Sequence, residues 1–157
     1  MSQKSTLEMQ TRFTKSKVDY LVDEEKFIKD IPPRRPDGNY LVIASPVYRK
    51  GKASLPIKSL VVLARVAMPI PGLPGALPSV TLNWHGHRIR GIDRETRHDN
   101  PDGSYILGWH EHLWSPQYGD SLVRSAPEPK HKDMLGILEE GLQRWNIKVL
   151  KQQLELG

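Results

Sequence analysis

Residues 80–114 have the sequence VTLNWHGHRIRGIDRETRHDNPDGSYILGWHEHLW, and this stretch decides the fold. Two runs typical of β-strands flank the segment His98–Gly103, where Asn-Pro-Asp-Gly has the residue types of a tight turn. Proline fixes φ at the second turn position, and glycine accepts the positive φ that follows. The pattern therefore predicts a β-hairpin with strands over residues 80–97 and 104–114.

Further elements are predicted on either side of this hairpin. Residues 40–47 and 60–68 are apolar and rich in β-branched side chains, which indicates two more strands. Residues 17–29 and 130–146 place apolar side chains at helical intervals, which indicates a helix near each end of the chain. Residues 69–79 contain four prolines and two glycines and are expected to form an apolar loop.

These elements predict an α+β fold: an antiparallel sheet of about five strands with an N-terminal and a C-terminal helix. We expect residues 1–16 to form a flexible N-terminal segment and residues 17–157 to form a single domain. The last helix is expected to pack its apolar side chains on the sheet face that carries Leu107 and Trp109. Those helix side chains are Leu135, Leu138, Leu142 and Trp145.

Composition excludes several classes of protein. The 157 residues contain no cysteine, which excludes disulfide frameworks, thiolate zinc sites and cysteine nucleophiles and favours a cytoplasmic location. No apolar run approaches the length of a membrane span, so we expect no membrane partner. Phosphate-loop, dinucleotide-binding and serine-hydrolase motifs are also missing. The formal net charge of +5 is compatible with a nucleic-acid or acidic-protein partner.

Histidines are concentrated in and beside the predicted hairpin. The cluster comprises His85, His87, His98, His110 and His112. Alternation along the second strand places most apolar side chains on one face, so His110 and His112 are expected to be exposed on the other. Pairing the strands about the turn places Arg90 opposite His112. The same register places Ile92 opposite His110. Arg88 then shares a face with Arg90.

Two histidines and nearby arginines on one face are suited to RNA cleavage without a metal. One imidazole can take the proton of a 2′-hydroxyl and a second can protonate the leaving 5′-oxygen. Arginine can stabilise the charge that builds on the phosphoryl group. We therefore predict a metal-independent endoribonuclease without a cofactor, in which His110 and His112 transfer protons and His98 is a third catalytic candidate. The candidate nucleic-acid-binding residues are Arg88, Arg90, Arg94 and Arg97.

Two other interpretations of the histidines are open at this point. His110-Glu111-His112 resembles the His-x-His element of metal-binding β-barrels, because imidazoles two residues apart in a strand share a face. His85 and His87 would complete such a site if their strand curled toward the hairpin. Alternatively, the histidines lie on a solvated sheet face and have no functional role.

Several short motifs resemble those of a family of uncharacterised prophage and mobile-element proteins. Members of that family carry a His-x-Asn-Pro-Asp-Gly turn, a His-x-His strand, an aromatic residue close to Gly and Asp, and Asn-Ile after the last helix. The matching positions are His98, Asn100, Pro101, Asp102, Gly103, His110, His112, Tyr118, Gly119, Asp120, Asn146 and Ile147. Residues 90–93, Arg-Gly-Ile-Asp, are more loosely similar to TumE-type toxins of toxin–antitoxin pairs, which are candidate RNases. The resemblance implies a mobile-element protein.

The sequence as a whole predicts a small RNA-directed toxin or nuclease of a toxin–antitoxin type system. Its expected partners are RNA and a cognate antitoxin or host protein. The alternative is a non-enzymatic phage or mobile-element protein that binds and inhibits a host defence protein, as anti-CRISPR proteins do.

Overall fold

The computed structural model describes residues 13–51 and 55–150. Within these ranges the chain forms two helices and nine strands. The helices are α1 (Lys15–Asp23) and α2 (Met134–Arg144). The strands are β1 (Lys26–Ile28), β2 (Arg35–Asp37), β3 (Tyr40–Arg49), β4 (Pro56–Ala67), β5 (Ser79–Trp84), β6 (His87–Asp99), β7 (Tyr105–Ser115), β8 (Gly119–Ser125) and β9 (Ile147–Val149).

All of these strands belong to one mixed sheet in the order β8-β7-β6-β5-β4-β3-β1-β9, and β2 also pairs with β3. β1 and β9 run parallel, whereas the other pairs are antiparallel. The chain is α+β, but the prediction of about five strands in an antiparallel sheet is wrong. Strands β1, β2 and β9 have three residues each, which is too short for alternation to reveal them.

The region predicted as one long strand, residues 80–97, contains two strands. His85 and Gly86 form a turn between β5 and β6, with φ values of 51° and 78°. Glycine adopts positive φ without strain, and the short turn returns the chain antiparallel beside β5. The sheet therefore continues as a meander from β3 through β8.

The apolar side of α2 packs on the central strands of the sheet. Its buried side chains, with the residue that follows the helix, are Met134, Ile137, Leu138, Leu142 and Trp145. Gly141 permits a close approach, because a Cβ at this position would lie 2.9 Å from Val80 in β5. The burial predicted for this helix is wrong for Leu135, which is exposed. Leu107, its expected contact on the sheet, is 63% exposed.

The first helix is shorter than the predicted span of residues 17–29. Thr14 caps its N-terminus, because its Oγ1 accepts a hydrogen bond from Lys17 N at 3.2 Å. The helix ends at Asp23, since the residues from Lys26 onward pair with β3 and β9 as strand β1. In the described part of the chain, neither helix is long and apolar enough to span a membrane.

The fold begins before the predicted domain boundary. Residues 1–12 of the predicted flexible segment lie outside the described residues. Phe13 is buried, and its ring meets Trp84 edge to face at a centroid distance of 4.8 Å and Trp114 at 5.8 Å. A boundary at residue 16 is therefore too late, because Phe13 belongs to the core.

Lys26 is a fully buried lysine that joins the ends of both helices. Its Nζ donates to Val22 O at 2.8 Å and to Glu24 O at 2.7 Å, at the end of α1. The third bond, at 2.7 Å, goes to Trp145 O directly after α2. Burial lowers the pKa of Lys26 to about 8, although the carboxylates of Glu24 and Asp23 act in the opposite direction. All three ammonium protons thus have acceptors.

Candidate functional site

The hairpin of β6 and β7 exists, but its register differs by one residue from the predicted one. Gly91 lies opposite His112, and Asp93 lies opposite His110. The ladder is interrupted by a bulge between Glu95 and His98, near the turn, so counting from the turn gives the wrong partners. The face that carries the histidines therefore carries Gly91 and Asp93, whereas Arg90 and Ile92 lie on the other face.

Both strand histidines are buried, which contradicts the predicted exposure. His110 is 0% and His112 3% exposed. β8 pairs with the far side of β7, and the turn holds β8 in place: Asn100 Nδ2 donates to Val123 O at 3.0 Å, and Asn100 Oδ1 accepts from Val123 N at 2.8 Å. His98 adds cover, with its ring centroid 5.4 Å from that of His110.

Each of the two imidazoles has one nitrogen committed to the backbone. His110 Nδ1 lies 2.9 Å from Gly108 O, and His112 Nδ1 lies 3.0 Å from Asp120 O. A carbonyl oxygen only accepts hydrogen bonds, so both Nδ1 atoms carry protons and donate. In a neutral imidazole this leaves the lone pair on Nε2.

The two Nε2 atoms converge on one carboxylate. Asp93 Oδ1 lies 2.5 Å from His110 Nε2 and 3.2 Å from His112 Nε2, and Glu95 Oε1 lies 3.6 Å from His110 Nε2. His110 Nε2 is buried without a hydrogen bond of acceptable geometry. A carboxylate is also an acceptor, so a positive charge has to lie between these atoms, either a proton or a metal ion.

The ionisation of the cluster shows the same preference for positive charge. Burial alone would raise the pKa of Asp93, but the adjacent His110 and His112 hold it well below its ordinary value. Burial would lower the pKa of His110, but the Asp93 carboxylate next to it, helped by Gly108 and Glu95, raises it. The site thus favours an ionised carboxylate facing a cation.

Asp93, Glu95, His110 and His112 together form what we call the His–carboxylate cluster. One ligand atom from each lies within 4.8 Å of all the others. The two imidazoles form the buried side, whereas the Asp93 side chain is 26% and the Glu95 side chain 43% exposed. The cluster is therefore closed on one side and open to a ligand on the other.

His98 lies at the edge of this cluster. Its Nε2 donates to Ser121 O at 2.8 Å, and its Nδ1 lies 3.5 Å from Glu95 Oε2. His85 and His87 are elsewhere: their rings pack at 6.0 Å and 5.2 Å from the ring of Phe13. The strand of His85 and His87 does not curl toward the hairpin, and the residues that lie beside His110 and His112 are Asp93 and Glu95 of β6.

Asp93 and Glu95 are the site residues that sequence reasoning missed. They stand two residues apart in β6, as the two histidines do in β7, so each pair shares a strand face. That matched spacing is the signal that could have found them, once the strands were paired in the correct register.

The arginines expected to bind nucleic acid do not share one surface. Arg88 Nε donates to Asp120 Oδ2 at 2.9 Å, beside the cluster. Arg90 lies on the opposite face, where it contacts Asp19 of α1 at 3.0 Å. Arg94 is exposed and follows Asp93 directly in β6, so it too points away from the cluster. Arg97 contacts Asp99 at 2.9 Å and covers the ring of Tyr105.

Comparison with known proteins adds no identity: no protein family, curated protein or solved structure matches this chain. The resemblance to mobile-element proteins and to TumE-type toxins therefore stays a prediction. The function has to be inferred from the chemistry of the chain's own residues.

Proposed function

We propose that this protein is a metal-dependent phosphodiesterase directed at RNA, with a divalent ion bound by the His–carboxylate cluster. One observation carries the proposal: two imidazoles, each fixed by a backbone carbonyl at Nδ1, aim Nε2 at the same carboxylate. Metal-binding histidines typically donate their other N–H to a carbonyl or carboxylate in this way.

The donor set fits a transition metal. Two imidazole nitrogens and one carboxylate are the protein ligands of many catalytic zinc sites and of non-haem iron(II) sites. Here His110, His112 and Asp93 supply that set, and Glu95 supplies a further oxygen on the open side. A single proton would satisfy only one of the two Nε2 atoms, whereas one metal ion satisfies both.

The same geometry changes the roles of the two strand histidines. His110 and His112 are too deeply buried to reach a scissile phosphate, so they act as ligands rather than as proton-transfer groups. If these residues held a divalent ion such as zinc, the ion would supply a bound water whose pKa is lowered toward neutrality. Glu95 lies on the open side, with His98 3.5 Å behind it, and is placed to accept a proton from that water.

The reaction is then a hydrolysis. The water oxygen forms a bond to phosphorus, the phosphorus bond to the leaving oxygen breaks, and the water's proton passes to Glu95. The leaving oxygen would take up a proton in turn, and His98, whose Nδ1 lies 3.5 Å from Glu95 Oε2, is the candidate donor. RNA as the substrate class is supported by the net charge of +5 and by Arg88 next to the cluster. A toxin–antitoxin setting with a cognate antitoxin is part of the proposal.

The test is a metal-binding titration combined with an RNA cleavage assay. The purified full-length chain, stripped of metal, should bind zinc or manganese with a stoichiometry of one and cleave RNA only when loaded. His110→Ala should abolish both. His131→Ala is the matched control, because His131 is an exposed histidine outside the cluster. Equal metal binding by the parent and His110→Ala would overturn the proposal, as would RNA cleavage that persists in His110→Ala.

A second candidate function is the inhibition of a host defence protein, and one observation favours it. Ile70, Leu73 and Leu77 are exposed in the proline-rich loop between β4 and β5, where an apolar partner surface would cover them. Leu73→Glu separates the two functions. It should leave RNA cleavage unchanged if the protein is a nuclease, and should abolish inhibition of the partner if the loop is a binding surface.

A further inference from the structure

A polar groove lies beside the His–carboxylate cluster on the same sheet face, with Arg88 and Asp120 in its wall. Its volume is about 610 Å³. Its walls are formed by Leu63, Arg65, Thr81, Asn83, His87 and Arg88, together with the segment around Gly119 and Asp120. A groove of this size is suited to one or two nucleotide units, since binding sites for small molecules measure about 300–1,000 Å³.

Asp120 connects the groove to the cluster. Its carboxylate accepts the bond from Arg88 Nε at 2.9 Å in the groove wall. Its backbone carbonyl accepts the bond from His112 Nδ1 at 3.0 Å and so fixes one of the proposed metal ligands. A ligand held by Arg88 is therefore one residue away from the metal site.

Gly91 is buried at the point where the wall of the groove and the cluster meet. A Cβ at this position would lie 2.9 Å from Arg88 Cδ. The same Cβ would lie 3.5 Å from Thr81 Cγ2 and 3.6 Å from His112 Cδ2. The lining residues of the groove and a ligand of the cluster thus meet around one glycine that has no side chain.

Two arginines, Arg65 and Arg88, and one carboxylate, Asp120, line the groove, and this excess of positive charge favours an anionic ligand. Within the described residues, no carboxylate lies within ion-pair distance of Arg65, whose guanidinium sits 4.8 Å from the ring of Tyr40. Arg88 is half-buried, and among the described residues its one ion-pair partner is Asp120 at Nε, so its terminal N–H groups are available to a ligand. Thr81 and Asn83 add neutral polar groups between the arginines.

We propose that this groove binds a single strand of RNA, with Arg65 and Arg88 contacting successive phosphates and the next phosphodiester reaching the cluster. The inference rests on the proposed nuclease function and assigns its substrate site. A planar guanidinium fork matches phosphate geometry. A groove of about 610 Å³ has room for one or two nucleotide units of a single strand, whereas a double helix would need a broad basic surface.

The test measures RNA binding without metal, so that it is independent of catalysis. The full-length chain in EDTA is titrated against a short fluorescein-labelled single-stranded RNA, and fluorescence anisotropy gives the dissociation constant. Arg65→Ala and Arg88→Ala should each weaken binding about tenfold or more, since each removes hydrogen bonds between charged groups. The slope of log Kobs against log salt concentration should fall by about 0.7 in each variant. Arg35→Ala is the control, because Arg35 is an exposed arginine outside the groove.

The two proposals fail separately. His110→Ala should lose metal binding and keep RNA binding, so a loss of metal alone leaves the groove assignment intact. Equal affinities for the parent, Arg65→Ala and Arg88→Ala would overturn the groove assignment even if metal binds. Tighter binding of the matching double-stranded RNA would also overturn it, because the groove has room for one strand.

Discussion

The two faces of β7 bury polar side chains in opposite ways. On the face toward α2, Glu111 is 1% exposed, and both of its oxygens have donors. Oε1 accepts from Arg124 at 2.9 and 2.7 Å, and Oε2 accepts from Trp145 Nε1 at 2.9 Å. On the other face, the Nε2 atoms of His110 and His112 point at a carboxylate that also accepts. These buried groups therefore differ. Glu111 has hydrogen-bond donors from the chain for both of its oxygens, whereas the two histidines need a cation.

The largest expected effect concerns Glu111, on the face of β7 toward α2, where the buried polar groups have partners. Glu111→Ala should lower the free energy of unfolding by about 3–5 kcal/mol, because it leaves Trp145 Nε1 buried without an acceptor and frees Arg124 and Arg144. Urea denaturation measures the loss. Glu111→Gln keeps an acceptor for Trp145 and should cost less than half as much. If Glu111→Ala were as stable as the parent, the hydrogen bonds of Glu111 would not stabilise the fold, and the comparison would fail.

A second prediction extends the comparison to Lys26, the other buried charge with a full set of partners. Its folded pKa of about 8 lies below the unfolded value of 10.5, so the unfolded chain holds the proton more tightly between these values. The resulting stability is fully present above pH 10.5 and is lost as the pH falls through about 8. It amounts to about 3 kcal/mol.

Urea unfolding of the parent and of Lys26→Met between pH 7 and pH 10 isolates this contribution. The stability of the parent relative to Lys26→Met should rise with pH over that range. A constant difference would show that the lysine keeps its ordinary pKa in the fold, and a falling difference would show that its pKa is raised; either would contradict the prediction.

The third prediction concerns the face of β7 that carries His110 and His112, where the buried groups need a cation. Zinc at about 100 times its dissociation constant should stabilise the parent by about 2.7 kcal/mol. Zinc should also stabilise Glu111→Gln by the same amount, because that residue lies on the other face of β7. It should add no stability to His110→Ala. Thermal unfolding with zinc and with EDTA distinguishes these cases, and a gain in His110→Ala equal to that of the parent would contradict the comparison.

The smallest expected effect lies at the outer end of the same strand. Leu107 is 63% exposed, beyond the cover of α2 and β8. Leu107→Ser should therefore change the free energy of unfolding by less than about 0.5 kcal/mol. A loss of more than 1 kcal/mol in urea denaturation would show that Leu107 is part of the core, as the sequence predicts.

The sequence was sufficient for those features that depend on local chemistry. The Asn-Pro-Asp-Gly turn predicts the hairpin, and helical spacing predicts the burial of Leu138 and Leu142. The residues of the site could not be predicted, because side chains alternate between the two faces of a strand. One bulged residue between Glu95 and His98 therefore moves the side chains of β6 that precede the bulge to the opposite face from the one predicted. The exposure of the histidines was mispredicted because alternation separates the two faces of a strand but does not show which face is covered, and here β8 and His98 cover the histidines.

The bonds of Lys26 also set an order of events during synthesis. Val22 and Glu24 are close to Lys26 in the chain, but its third acceptor, Trp145 O, is 119 residues away. At roughly 5–20 residues per second, a ribosome takes roughly 6–24 s to make that interval. Until then the ammonium has two acceptors, and β1 also lacks β9 as its parallel neighbour. In the nascent chain we therefore expect the Lys26 ammonium to stay hydrated. Its burial marks the completion of the fold.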